Sequence, residues 1–362
     1  MSENKNGNPD NTIPDADRRA LMTGAAGGVL SALLGLAATP VHATSGIGFA
    51  SPAQAQAGDT PIGAKWWPSR WGAEDQAGAS NHITAEKILD ALKLVKTGKA
   101  YEMGRVYESS MPKFGERAFT LRIPGGPTGG PLGNNSIVWH DEFLATEIGQ
   151  VGTQFDGLGH IGVAAKGQDR AEMRFYNGLT AAEISDPYGL KKLGIEHVKP
   201  IVTRGLLLDV AAVRGRNMNL GEEITVADIE AALSKQSIAA DWLKPGDAVF
   251  FNTGWGSLWN KDNVQFGKGE PGIGMAAGQW CIGKQVCVVG ADTWGVEVVP
   301  NPDANKAFPV HQELITKNGI FIHENLDLSG LAAERVYQFV YLMLPLRIKG
   351  GTGSPGRPIA LV

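Results

Sequence analysis

Five short runs of the chain, "GLLLDVA", "DAVFFNTG", "QVCVVGAD", "GIFIHENL" and "VYQFVYLMLPLRI", carry apolar residues at nearly every position. Side chains alternate across a strand, so a run that is apolar throughout must be buried on both faces. These runs predict the inner strands of a covered sheet. Two other stretches, "TAEKILDALKLVKTG" and "TVADIEAALSKQ", space their apolar residues for one helical face, with Thr84 and Thr225 as N-caps and Gly98 as a stop for the first. The 48 glycines supply turns for a strand-rich architecture rather than a helical bundle. The expected fold class is α/β, a mixed curved sheet or barrel with a few covering helices.

Residues 1–57 read differently from the rest. A polar start leads to Arg18-Arg19, then to the uncharged "ALMTGAAGGVLSALLGLAATPV" and the small-residue sites "VHA" and "AQAQA". Paired arginines, a mildly apolar Ala/Gly-rich core and an A-x-A end resemble a twin-arginine export signal, removed from a periplasmic mature protein. A transmembrane anchor is the competing reading; the weak hydrophobicity of the run and the cleavage-like sites after it favour the signal. Residues 58–362 then form a single domain, with no linker or internal repeat inside it. Export would expose Cys281 and Cys287 to an oxidising compartment, but their setting, "WCIGKQVCVVG", reads as two core thiols. The formal net charge is −4, and no Lys/Arg run exceeds a pair. This excludes a concentrated basic face of the kind nucleic acid requires.

The densest polar cluster is "EIGQVGTQFDGLGHIG". On a strand, Gln150, Gly152, Gln154 and Asp156 would share a face, and Gly152 would leave open space between the two glutamines; on a helix the two glutamines would still be neighbours one turn apart. Gly157 and Gly159 would let the chain turn and bring in His160. Oxygen and nitrogen donors converging on a space suit a divalent cation; a hydrogen-bonded turn is the plainer alternative. Near the C-terminus, "FPVHQELITKNGIFIHENLDLSG" carries His311, His323 and Glu324. A histidine and a carboxylate from there could complete a metal shell. His323 and Glu324 are neighbours on a strand, so at most one of them faces it.

The mature chain resembles the cyclase family of metal-dependent hydrolases, which includes bacterial kynurenine formamidase, isatin hydrolase and a dienelactone hydrolase. The family signature is His-x-Gly-Thr-His-x-Asp-x-x-x-His, and "QVGTQFDGLGH" follows it with Gln150 and Gln154 in place of the first two histidines. The likeness continues through "WGAEDQAGASNHIT", "GRVYESSMPKFGERAF", "WHDEF", "RGLLLDVA", "GDAVFFNTGW", "GADTWGVEVVP" and "HENLDL". It implies a swivelling β/β/α fold assembled as a homodimer or homotetramer. It further implies Asp156, His311 and Glu324 as metal ligands, Gln150 and Gln154 at the positions of the first-site imidazoles, and His160 as catalytic acid/base.

An amide oxygen is a harder and weaker donor than imidazole. The two glutamines therefore point to one ion, or to Mn(2+) in preference to Zn(2+). The chemistry implied is hydrolysis of a formamide, cyclic amide or lactone, with a divalent ion polarising the carbonyl and acidifying water and His160 moving the proton. The partner is a small molecule, aromatic or cyclic, with Trp66, Trp67, Trp71 and Phe155 as candidate pocket walls. Two other classes compete: an exported solute- or metal-binding protein on the same fold, and a metal-dependent lyase or isomerase.

Overall fold

The computed structural model describes residues 60–164 and 169–362. The expected export signal lies outside them. Among the described residues no helix is long and apolar enough to cross a membrane.

Strand β1 (Ala100–Glu102) is followed by four short strands, β2 (Phe119–Arg122), β3 (Gly129–Leu132), β4 (Ile137–Trp139) and β5 (Phe143–Thr146), and then by β6 (Gln154–Asp156). The second half of the chain supplies β7 (Ile201–Asp209), β8 (Glu223–Ile224), β9 (Ala248–Asn252), β10 (Gly272–Ile273), β11 (Val288–Ala291) and β12 (Phe321–Glu324). Strands β13 (Gln338–Met343), β14 (Gly353–Pro355) and β15 (Ile359–Leu361) end it. Nine strands make one curled sheet in the order β1-β15-β13-β7-β9-β11-β12-β6-β14.

All five apolar runs fall in this sheet. Strands β7, β9, β11 and β12 pair in parallel at its centre. The pairings outside them are antiparallel, including β13 with β7 and β6 with both β12 and β14. The central strands are buried almost throughout, as double-sided burial requires: β9 and β11 expose no residue, and Phe250, Phe251, Phe321 and Phe339 lie wholly inside the core. Full burial of side chains of this size contributes about 1.5–3 kcal/mol each. The mixed curved sheet with covering helices is the expected fold class.

Two covering helices begin where the sequence places them. Thr84 accepts the backbone N–H of Lys87 at the start of Ala85–Leu92, and Thr225 forms a capping box with Asp228 at the start of Val226–Lys235. The first helix stops at Leu92 rather than running to Gly98. The backbone N–H groups of Thr97 and Gly98 both bond the Val362 carbonyl instead, which turns the chain into β1. Cys281 and Cys287 are buried and free.

Strands β2 and β5, and β3 and β4, form two small antiparallel ribbons off the main sheet. Leu121, Leu132, Ile137, Val138 and Phe143 stand exposed on them. Exposed large apolar side chains gathered on two short ribbons are a feature of contact sites.

Candidate metal centre

Pairing of β6 with β12 sets the site. Gln154 lies opposite Glu324, Phe155 opposite His323 and Asp156 opposite Ile322. Alternation puts Gln154, Asp156 and Glu324 on one face and sends Phe155 and His323 to the other. His311 arrives at the end of the short helix Pro309–His311, which begins after Phe308 in a left-handed conformation (φ 50°). Asp156, His311 and Glu324 are all buried, and one ligand atom from each lies within 4.8 Å of the others. His311 Nε2 is 3.3 Å from Glu324 Oε1 and 3.9 Å from Asp156 Oδ2.

The charge balance fits a cation. Both oxygens of Asp156 are buried without a hydrogen-bond partner, an arrangement costing several kcal/mol for an isolated carboxylate. Burial, then the charge of Asp156, push the Glu324 carboxyl up to about 8. Glu270 is raised well above the carboxylate range by burial and by Glu324. Burial disfavours the protonated His311 ring, but hydrogen bonds to Glu297 and Glu324 outweigh it and lift the pKa to about 10. The site as folded thus holds protons against its own negative charge. Two carboxylates and an imidazole can hold a divalent ion in place of those protons.

The two glutamines flank this triad as a hydrogen-bonded pair. Gln154 Nε2 donates to Glu324 Oε2 at 2.6 Å and to Gln150 Oε1 at 3.4 Å, while Gln150 Nε2 reaches Thr352 Oγ1 at 3.5 Å. The expected shared strand face is shorter than the sequence suggested. Strand β6 begins only at Gln154, and Gln150 sits in the turn before it. Gly152 leaves no open space either. Its φ is +63°, and a Cβ there would stand 2.7 Å from the Tyr107 ring, which occupies that side.

His160 follows β6 by a tight turn in which its N–H bonds the Gly157 carbonyl. Its Nε2 lies 4.0 Å from Asp156 Oδ2. Burial lowers its pKa against the pull of Asp156, and the charges of His311 and Arg117 lower it further. A neutral imidazole beside the triad is able to accept a proton.

A cavity of about 340 Å³ reaches the site at Gln150, Gln154 and Glu324, with Met111, Phe114, Phe266 and Trp294 also lining it; of the triad only Glu324 lines it. The four aromatic residues expected there lie elsewhere. Phe155 is wholly buried, stacked on Phe321 on the far face of β6. Trp66 and Trp71 line a separate cavity with His82 and Tyr176. Trp67 packs against Gly178 and under the Arg174 guanidinium. The aromatic character of "WWPSRW" carried no information about which cavity its rings line. His323 is likewise excluded from the site: its Nδ1 bonds the Tyr341 hydroxyl inside the core. The residues that sequence reasoning missed are Glu297, Phe114, Arg117 and Trp294. All four sit in the segments "SSMPKFGERAF" and "GADTWGVEVVP", whose likeness to the family was the only signal available.

Fold and site together define a class: α/β proteins whose curled mixed sheet presents a buried carboxylate–imidazole cluster suited to a divalent ion. The chain belongs to the cyclase family, whose Cyclase model matches residues 101–298, more than half of the 362 residues. A solved structure described as a novel cyclase is 32% identical, with a TM-score of 0.70 over 81% of this chain and 98% of that chain. Isatin hydrolase A from Ralstonia solanacearum is 20% identical, with a TM-score of 0.54 over 77% of this chain and 98% of that one. Isatin hydrolase A from Labrenzia aggregata bound to benzyl benzoate is 18% identical, with a TM-score of 0.53 over 73% and 93%. These last two likenesses show the fold. No curated protein sequence matches the chain significantly.

Proposed function

We propose that this chain is a metal-dependent hydrolase of a small cyclic or aromatic amide, formamide or lactone. The observation that carries the reading is Asp156: a fully buried carboxylate with neither oxygen hydrogen-bonded, facing His311, Glu324 and His160. A divalent ion held by Asp156, His311 and Glu324 would polarise a carbonyl and acidify water. His160 then has the proton-transfer role, taking a proton at Nε2 and returning it to the leaving nitrogen or oxygen. Gln154 keeps Glu324 in place through its 2.6 Å bond. The hard donors of Gln150 and Gln154 beside the triad favour Mn(2+) over Zn(2+). The names of the isatin hydrolases among the structural neighbours accord with this reading.

Three further proposals complete it. Residues 1–57 are a twin-arginine signal removed on export to the periplasm, leaving 58–362 as the catalytic domain. The exposed apolar residues of the β2–β5 ribbons support assembly as a homodimer or homotetramer. The partner is a small molecule and not nucleic acid, given the net charge of −4. The test is elemental analysis of protein purified from the periplasm, followed by a hydrolysis screen of amides, esters and lactones. Metal-loaded protein that hydrolyses none of these would favour the binding-protein reading.

A further inference from the structure

The cavity that reaches Glu324 has an unusual cation at its wall. Arg117 lines it together with Phe114, and its guanidinium lies 5.4 Å from the Phe114 ring centroid. Among the described residues no carboxylate forms an ion pair with Arg117. Glu147, an acid that feels its charge, is engaged by the Ala118 backbone N–H at 2.7 Å. Lys113, the other cation of the cavity, has its ammonium on the carbonyls of Ser109 and Met111 and on no acid. Arg117 is therefore a half-buried guanidinium with its planar donor fork unused, on the same cavity as Glu324.

A divalent ion on Asp156 and Glu324 would neutralise both acids, and Glu324 is the one acid that lines the cavity. Arg117 and Lys113 would then set the sign of the cavity. The lining beside Arg117 is apolar: Phe114 stacks on Trp294 with centroids 4.7 Å apart and planes at 20°. The indole N–H of Trp294 bonds the Phe266 carbonyl at 3.1 Å, which fixes that ring. A volume of about 340 Å³ is enough for a small molecule of one or two rings.

We propose that the substrate is a planar anion, an aromatic or fused-ring amide or ester that carries a carboxylate away from the scissile bond. Arg117 binds that carboxylate, and the aromatic lining of Phe114, Phe266 and Trp294 contacts the ring. The assignment rests on the hydrolase reading for the word substrate, but the binding geometry stands apart from turnover. A guanidinium fork matches a carboxylate with two parallel hydrogen bonds, which a lysine cannot reproduce.

The test uses the mature, Mn(2+)-loaded protein with two matched probe sets. Binding is read by calorimetry with 2-, 3- and 4-aminobenzoate against aniline. Turnover is read with the three formamidobenzoates against formanilide. At least one aminobenzoate should bind tenfold or more tighter than aniline, and Arg117→Gln should remove that preference with metal content unchanged. Arg117→Lys should restore only part of it. The kcat/KM ratio of the matching formamidobenzoate to formanilide should fall on the order of 10- to 100-fold in Arg117→Gln. Equal binding of aniline and all three acids, or an Arg117→Gln variant with the wild-type preference, would overturn the proposal while leaving hydrolysis intact. Arg117-dependent binding with no hydrolysis of any probe would instead sink the hydrolase reading and keep the anion site.

Discussion

Glu297 holds His311 by its backbone and its ring together: Oε1 accepts the His311 backbone N–H at 2.9 Å and lies 2.6 Å from ring Nδ1. Its other oxygen accepts the Val310 N–H at 3.1 Å. The carboxylate therefore caps the short helix and directs Nε2 toward Asp156 and Glu324. Glu297→Gln keeps a hydrogen-bonding group of the same shape but loses the charge that favours an Nδ1–H ring. Metal affinity should drop on the order of 10- to 100-fold, the usual effect of losing a partner behind a ligating imidazole. Isothermal titration with Mn(2+) checks it, and unchanged affinity would remove Glu297 from the site.

Asp156→Asn tests the cation requirement. Burial and the Asp156 charge together raise Glu324, so removing that charge should stabilise the ion-free protein while abolishing its response to metal. For the wild type, free Mn(2+) at a hundred times Kd should add about 2.7 kcal/mol of stability. Thermal melts with and without Mn(2+) distinguish the two proteins. A variant that still melts higher with Mn(2+) would refute the assignment.

His160→Ala separates chemistry from support. Nε2 of His160 is 4.0 Å from Asp156 but forms no part of the tight triad, so the variant should keep its metal. Turnover should fall on the order of 10²- to 10⁴-fold, with the loss in kcat rather than KM. Single-turnover rates alongside metal content decide it; an unaltered rate would clear His160 of a chemical role.

Gln154→His addresses the altered signature. The amide that now donates to Glu324 would be replaced by a borderline-soft nitrogen donor beside the triad. Zn(2+) affinity should rise relative to Mn(2+) in a competition titration. A ratio equal to wild type would mean that position 154 lies outside the coordination shell.

Acid sensitivity should come in part from His323. Burial pushes its pKa down to about 3, so the folded state takes up a proton far less readily than the unfolded chain, whose histidine titrates near 6.5. Stability from this group is present above about pH 6.5 and is lost as pH falls toward 3. At pH 5 the loss amounts to about 2 kcal/mol. Urea unfolding of chelator-treated protein at pH 7 and pH 5 should show a smaller acid loss in His323→Gln than in wild type. Equal losses in both proteins would contradict the assignment.

What the sequence disclosed and what it concealed differ in range. The strands β7, β9, β11, β12 and β13 were legible because double-sided burial leaves an unbroken apolar run. Thr84 and Thr225 were legible because a cap is a local device. The opposition of His323 and Glu324 followed from alternation alone, and the structure divides them accordingly. The walls of the cavity were not legible. Trp294 and Phe114 meet only through tertiary packing, and nothing in "WWPSRW" says that its rings cover another cavity. Gly152 misled for the same reason, because the side chain that fills its place, Tyr107, comes from another segment.

The register of β6 on β12 joins parts of the chain that are far apart: Gln154 and Glu324 are separated by 170 positions. Strand β6 is also the last but one of the sheet, with only β14 beyond it. An ion gripping Asp156 and Glu324 would thus act as a removable rivet, closing a very long loop whose entropic cost grows only slowly with its length. The rim of the sheet would be fastened by the same atoms that hold the ion. Chelation should then make β6 and β14 the first strands to exchange their amide hydrogens, turning the candidate metal-binding face into the frayed edge of the sheet.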